Sequence, residues 1–253
     1  QVFDGYLAAG GVRNLIIPVN QYESCVNYDF RLKRIEHMEQ PYISIQTESE
    51  NGNWDAFRTK RQDSDYPYFM YREYEVTGAS HDTMFSYVNY YKDDADLRRI
   101  NKLPKYIGKH AYGNDYPSQI LFAAGFKNLF RWARDGVGPN HCERIPVDHN
   151  GNNRKDAFGN TLGGLRTCLL NYPTGRYHSC STIEPGKSFL DASSDQDPLF
   201  GFQEAFSASL LKELYGSLDH YKKLCEEDTK EQISKGFICK EDGEQLVEIA
   251  VNL

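Results

Sequence analysis

The sequence lacks long apolar runs, clusters of basic residues and closely spaced cysteine pairs. No stretch approaches the ~18 consecutive apolar residues of a membrane-spanning helix, so we predict no span. The net charge is −7, and the short basic runs at 31–34 and 98–99 lie near acidic residues. Nucleic acid is therefore not expected as a partner. No two cysteines have the Cys-x-x-Cys spacing of zinc or redox sites, and we predict neither a metal nor a cofactor.

The cysteines that are present leave the compartment open. An even count of six, together with a start at Gln1 rather than Met, favours a secreted or extracellular protein. The same start suggests a processed chain or a piece of something longer. No Asn-x-Ser/Thr sequon adds support. Cys225 and Cys239 flank a predicted helix–turn segment and are a candidate disulfide pair; the others are Cys25, Cys142, Cys168 and Cys180.

Short strands are predicted only in the first part of the chain, at 2–7, 41–47 and 69–76. The polar region between the last two contains a turn signal at Asn51-Gly52-Asn53 and a predicted loop at 63–67. The organisation is therefore mixed α/β, with strands in 1–100 and a helical, loop-rich extension in 101–253 packed on the same domain. Helices are predicted at 31–38, 83–91, 117–136, 203–215, 219–236 (as a pair or a bent helix) and 241–251.

Candidate acid and base residues follow two of these strands. The strand at 41–47 ends in Thr47-Glu48-Ser49-Glu50, and the strand at 69–76 is followed by Thr77-Gly78-Ala79-Ser80-His81. In open α/β sheets, ligands bind outside the carboxyl ends of the strands. A histidine base needs a carboxylate on its second ring nitrogen to hold the correct tautomer. An acid after one strand and a histidine after the next is the arrangement of an α/β-hydrolase.

The residues leave alternatives open for both groups. Glu50, which lies three residues past Thr47, is the favoured acid, and Glu48 is the second choice, with a structural role as its alternative. Asp63 and Asp65 are more distant candidates. His81 itself is alternatively an ordinary hydrogen-bonded loop histidine.

A nucleophile is missing from the expected position. In an α/β-hydrolase the chain order is nucleophile, acid, base, so the nucleophile should precede Glu48. Residues 1–47 contain no Gly-x-Ser-x-Gly elbow. Ser80 and Ser217 each follow a glycine-containing turn without forming that motif. Cys25 and Cys180 have no neighbouring motif that would support a thiol nucleophile.

Motifs spread over nearly the whole chain resemble the C-terminal half of the large alpha/beta hydrolase domain-containing proteins. They are Phe3-Asp4-Gly5, Gln46–Glu50, Tyr74–His81, Trp132–Gly136, Asp156–Arg166, Leu214–Ser217 and Gly236–Ile238.

The resemblance implies the C-terminal part of an α/β-hydrolase sheet, ester-type hydrolysis and His81 as the base. It also implies a serine elbow shortly before the segment at Val2. Gly163 and Gly164 would permit tight turns near the active-site edge, where Arg166 either binds a substrate carboxylate or anchors its loop.

Two functions from different classes remain open. The first is a serine hydrolase acting on carboxylic esters, with the serine supplied by the N-terminal half of the same hydrolase on a separate chain. The alternative is a non-catalytic binding or structural protein on a degenerate hydrolase fold, which stores an apolar ligand or forms an oligomer. Because three strands leave an open sheet edge, we expect the chain not to be stable as a lone monomer.

Overall fold

A computed structural model describes most of the chain. The described residues are 3–10, 35, 37–53, 60–103, 113–182, 196–197 and 199–252. Most of the helix predicted at 31–38 lies outside the described residues. Met38, predicted as the last residue of that helix, is instead the first residue of a strand. Cys25 also lies outside the described residues.

A four-stranded sheet lies at the centre of the described chain, in the order β1-β2-β4-β3. The first, second and fourth strands are parallel, with Ala9 opposite Ile45 and Thr47 opposite Val76. The carboxyl ends of these parallel strands therefore lie at one edge of the sheet. The strands are β1 (Tyr6–Ala9), β2 (Met38–Thr47), β3 (Ser64–Tyr66) and β4 (Phe69–Val76).

The polar region between β2 and β4 is more ordered than its sequence predicts. β3 forms an antiparallel hairpin with β4 across the Pro67-Tyr68 turn, where a loop was predicted. The turn predicted at Asn51-Gly52-Asn53 is wrong, because these residues end helix α1 (Glu48–Asn53). Tertiary contacts at both sites override local turn propensity.

The two faces of the sheet differ in chemistry. Ile43 and Ile45 of β2 and Tyr74 and Val76 of β4 join the main hydrophobic core. Helix α4 (Ser118–Asp135) packs here, and its Gly125 lies so close to β2 that a Cβ would be 2.4 Å from Ile45 Cδ1. The opposite face buries polar side chains without exposure to solvent: Ser44, Gln46, Glu73 and Glu75. Both faces are thus covered, as expected for parallel strands.

Helices and short hairpins make up the rest. A π-helical turn (Tyr87–Tyr91) follows α2, and a 3₁₀ turn (Lys240–Asp242) precedes α8. The helices are α2 (Met84–Ser86), α3 (Ala95–Arg99), α4 (Ser118–Asp135), α5 (Cys168–Asn171), α6 (Ala208–Tyr215), α7 (Leu218–Ser234) and α8 (Gly243–Asn252). Two-stranded sheets pair β5 (Gly175–His178) with β8 (Phe202–Ala205), and β6 (Ser181–Thr182) with β7 (Gln196–Asp197).

The helix predictions agree best with the structure where the apolar residues repeat at helical spacing over a long segment. α4 lies within the predicted 117–136 and ends at Gly136, whose N–H donates to Trp132 O at 3.0 Å. The helix predicted at 203–215 begins only at Ala208, because the preceding residues form β8. α7 is one helix, not a pair. In the described part of the chain, no helix combines the length and apolar character needed to cross a membrane.

Candidate active site

Glu50 and His81 meet at the carboxyl edge of the sheet. Glu50 lies in the first turn of α1, directly after β2, and His81 follows the turn that leaves β4. His81 Nδ1 lies 2.5 Å from Glu50 Oε1. The Glu50 side chain is fully buried, whereas 26% of the His81 side chain is exposed. The histidine is therefore bound on one side by a buried carboxylate and open to solvent on another.

Thr47 holds the other oxygen of the same carboxylate. Both the backbone N–H and the hydroxyl of Thr47 donate to Glu50 Oε2, the hydroxyl at 2.7 Å. With Oε2 occupied in this way, Oε1 faces His81. These hydrogen bonds orient the carboxylate so that its second oxygen can accept a hydrogen bond from the imidazole ring.

Ser49 fixes the backbone of His81. The His81 N–H donates to Ser49 Oγ at 2.9 Å, and the Ser49 hydroxyl donates to the carbonyl oxygen of Ser179 at 2.7 Å. Ser49 is fully buried. These two hydrogen bonds connect α1, the turn after β4 and the segment after β5 around one histidine.

The environment of His81 raises its pKa above the ordinary value of 6.5. Burial, the largest single influence, lowers the pKa. The hydrogen bond to Glu50 and the negative charges of Glu50 and Asp82 together outweigh burial. The site therefore stabilises the protonated form of the His81 ring.

The His81 ring lies beside the end of β1. Gly10, which follows β1 with φ +62°, is so close that a Cβ there would be 3.1 Å from His81 Cε1. The contact with Glu50 engages Nδ1, so Nε2 is the nitrogen suited to exchange a proton with a nucleophile. The ring thus reaches across the end of β2 towards the strand at the sheet edge.

The other candidate acids are held elsewhere. Glu48 Oε2 accepts the N–H of Gly78 at 2.9 Å, and its Oε1 accepts from Lys155 and Thr161. Asp63 binds Arg144 and His141. Among these carboxylates, Glu50 is the one in contact with His81, and Glu48 instead ties the turn after β4 to the segment at 155–161. Asp65 pairs with Arg72.

The residues predicted to bind substrate take part in holding the 156–170 segment. The Arg166 guanidinium donates to the carbonyl oxygens of Thr161 and Leu170 and lies 3.3 Å from Asp156 Oδ2. These contacts are those of a loop anchor. Binding of a substrate by Arg166 stays a prediction.

Gly163 and Gly164 allow this segment to lie against β4. A Cβ at Gly163 would be 2.4 Å from Arg144 O, and one at Gly164 would be 2.3 Å from Thr77 Oγ1. The carbonyl oxygen of Gly163 accepts the Thr77 hydroxyl at 2.6 Å. Close backbone approach accounts for both glycines, and their contribution to substrate binding also stays a prediction.

A second histidine–carboxylate contact was not expected from the sequence. His178 Nε2 lies 2.8 Å from Glu204 Oε2 across the β5–β8 pair, and the His178 ring stacks on Phe202 at 4.0 Å. The pKa of His178 is lowered, mainly by burial, whereas the pKa of His81 is raised. The two histidine–carboxylate pairs therefore differ in the direction of the histidine pKa shift. No sequence motif marked it, because the two strands were not predicted.

One protein family matches nearly the whole chain. The sequence profile of a family described as "Alpha/beta hydrolase domain" matches residues 1–248. The chain belongs to the alpha/beta hydrolase domain family. The resemblance read from the sequence motifs is thereby confirmed, as is the α/β-hydrolase fold class. No curated protein and no solved structure matches the chain.

For an alpha/beta hydrolase domain, the sheet topology and the Glu50–His81 contact have a simple interpretation. An acid after one parallel strand and a histidine after the next occupy the places expected for the second and third members of the catalytic order of this fold, and the catalytic roles of Glu50 and His81 stay predictions. Thr47 and Ser49, which hold the two groups, were not singled out from the sequence. Their position between the strand end and the acid was the only available signal.

Proposed function

We propose that this chain supplies the acid and the base of a serine hydrolase that cleaves carboxylic esters by acyl transfer. The serine would come from the N-terminal half of the same hydrolase, on a separate polypeptide. The observation that carries the proposal is the 2.5 Å contact between His81 Nδ1 and the buried Glu50 carboxylate. The family membership supports a hydrolase-type fold, and the ester substrate is part of the proposal.

The mechanism follows from the two sides of the His81 ring. The serine hydroxyl attacks the ester carbonyl while its proton passes to Nε2, and Glu50 stabilises the resulting imidazolium through Nδ1. The imidazolium then protonates the leaving alcohol, and an acyl-enzyme remains. Water attacks this acyl-enzyme with His81 again accepting the proton, which releases the carboxylic acid and regenerates the serine.

The sheet supports a specific place for the nucleophile. Among the described residues, β1 is the outermost strand on its side of the sheet. A parallel strand added beside β1 would end near Gly10, the residue next to the His81 ring. A serine in a sharp turn after that strand would face Nε2. The unpaired main-chain groups of an edge strand supply the hydrogen bonds for such a strand.

Labelling of the native material with a fluorophosphonate probe, followed by denaturing mass spectrometry, tests the proposal. We expect a second polypeptide to separate on denaturation and to carry the label on the serine of a Gly-x-Ser-x-Gly motif. A label on residues 1–253 would overturn the placement of the serine. Native material that contains this chain alone and takes up no label would favour the non-catalytic binding protein instead.

A further inference from the structure

Two buried thiols lie side by side in the helical part of the chain. Cys168 is the first residue of α5, and Cys225 lies in the middle of α7. Both side chains are fully buried. The Thr229 hydroxyl, one turn after Cys225 on α7, lies 4.0 Å from Cys168 Sγ, and each of the two thiols is the largest influence on the pKa of the other. The two thiols are therefore neighbours in a site without solvent.

A second contact between α5 and α7 shows that these two helices pack against each other where the two cysteines lie. Asn171 Nδ2 donates to Asp228 Oδ1 at 2.7 Å. Asn171 is three residues after Cys168, and Asp228 is three residues after Cys225. Residues three apart lie on the same face of a helix. Two contacts in the same register bring the backbones of α5 and α7 close together along this face.

We propose that Cys168 and Cys225 form a disulfide when the chain equilibrates with a small-molecule disulfide such as oxidised glutathione. The thiolate of one cysteine attacks one sulfur of the oxidant and releases one reduced thiol. The thiolate of the other cysteine then attacks the mixed disulfide and releases the second. Two protein thiols are oxidised to one disulfide, and the small-molecule disulfide is reduced to two thiols.

The environment distinguishes the two thiols. In the folded chain the neighbouring Cys168 thiol lowers the pKa of Cys225, whereas the neighbouring Cys225 thiol, together with burial, raises the pKa of Cys168. The thiolate, which is the nucleophile, is therefore stabilised more at Cys225 than at Cys168 while the two are packed together. Because both residues are fully buried, the reaction takes place as the chain folds or when α7 opens.

The bond would tie the C-terminal helices to the catalytic sheet. Cys168 follows Leu165 closely, and the Leu165 N–H donates to Glu75 O of β4 at 2.6 Å. Closing the loop from 168 to 225 removes conformational freedom from the unfolded chain. We expect Tm to rise by roughly 5–10 °C on oxidation.

This pairing is an alternative to the Cys225–Cys239 pair predicted from the sequence, since Cys225 can form only one disulfide. Cys142, Cys168, Cys180, Cys225 and Cys239 are all free thiols in the structure, so neither pair is bonded there. The charged neighbours of Cys239 are Lys127, Glu241 and Asp242.

Peptide mapping tests the proposal on the wild-type chain. After equilibration with oxidised and reduced glutathione, remaining thiols are blocked with iodoacetamide in denaturant, and the chain is digested with trypsin without reduction. The cleavage sites place each cysteine in a separate peptide, with Cys168 in 167–176, Cys225 in 224–230 and Cys239 in 236–240. We expect a cross-linked product of 167–176 with 224–230.

Two results would overturn the proposal. One is recovery of both peptides in the alkylated form, which would show a thiol pair that does not oxidise. The other is a product that joins 224–230 to 236–240. Cys239→Ser is the matched control, because it should retain both the cross-linked product and the Tm rise on oxidation. Cys168→Ser should lose both.

Discussion

Thr47 donates two hydrogen bonds to Glu50, from its backbone N–H and from its hydroxyl, and both reach the carboxylate oxygen that does not contact His81. The last residue of β2 therefore orients the first turn of the helix that follows it. Glu50 is fully buried, so Thr47 and His81 rather than solvent meet its carboxylate oxygens.

If the proposed function holds, replacement of His81 should abolish ester turnover. In His81→Ala, the serine has no acceptor for its proton, and we expect kcat to fall about 10³–10⁶-fold. Turnover of p-nitrophenyl acetate by the native assembly measures this. His149→Ala is the matched control, because His149 lies in an exposed turn and should leave turnover unchanged. Equal turnover in both variants would exclude His81 from the mechanism.

The pKa of His81 should lie above 6.5 and should depend on Glu50. We expect Glu50→Gln to lower the pKa, because it removes a negative charge and a hydrogen-bond acceptor and leaves the effect of burial. NMR titration of the imidazole measures this without any substrate, in the native assembly. A pKa that is the same in both proteins would contradict the contact between Glu50 and His81.

The raised pKa also predicts a pH dependence of stability. Because the folded state binds the His81 proton more tightly than the unfolded chain, this contribution is fully present below about pH 6.5, the unfolded value. It is lost as the pH rises through the higher folded pKa. Urea midpoints across this window should fall more in the wild type than in His81→Ala. If the urea midpoints of the wild type and His81→Ala change equally with pH, the His81 proton does not contribute to this pH dependence of stability.

Removal of the Thr47 hydroxyl should destabilise the fold. In Thr47→Val, Glu50 Oε2 keeps only the backbone donor, and we expect a loss of about 1–3 kcal/mol in the free energy of unfolding. Urea unfolding measures it. Thr47→Ser retains the hydroxyl and should lose much less. If serine and valine cost the same, the hydrogen bond contributes nothing.

The close approach of the 156–170 segment to β4 predicts a steric cost at Gly164. A Cβ there would be 2.3 Å from Thr77 Oγ1 and 2.6 Å from Glu75 O, so we expect Gly164→Ala to destabilise by about 3 kcal/mol or more. Gly136→Ala is a matched control, since Gly136 has the same φ of +69° and open space around it. It should cost about 1 kcal/mol. Equal losses of stability in thermal unfolding would show that backbone conformation alone matters.

The strands that carry the candidate site were predictable because their signal is local. Runs of β-branched and aromatic residues marked β2 and β4, and the residues after them marked an acid and a histidine. The choice between Glu48 and Glu50 could not be made with the same certainty. Residues two apart on a helix face different directions, so the rotation of α1 decides which carboxylate meets His81.

The short elements were harder to predict because their partners are distant in sequence. β8 pairs with β5 across residues 178–202, and this pairing shortened the predicted helix at 203–215. The meeting of Cys168 with Cys225 likewise depends on the register of α5 and α7. A sequence pattern contains no information about which of several cysteines face each other across two helices.

The sequence by itself determined the α/β class, the long helix α4 and the position of Glu50 and His81 after neighbouring strands. Hydrophobic periodicity and the ends of strands can be recognised from residues that are adjacent in the sequence. Only the tertiary structure decided that Glu50 contacts His81, that Glu48 and Arg166 hold loops, and that Cys168 lies against Cys225. These relationships depend on strand register, helix rotation and packing, which arise from contacts between distant parts of the chain.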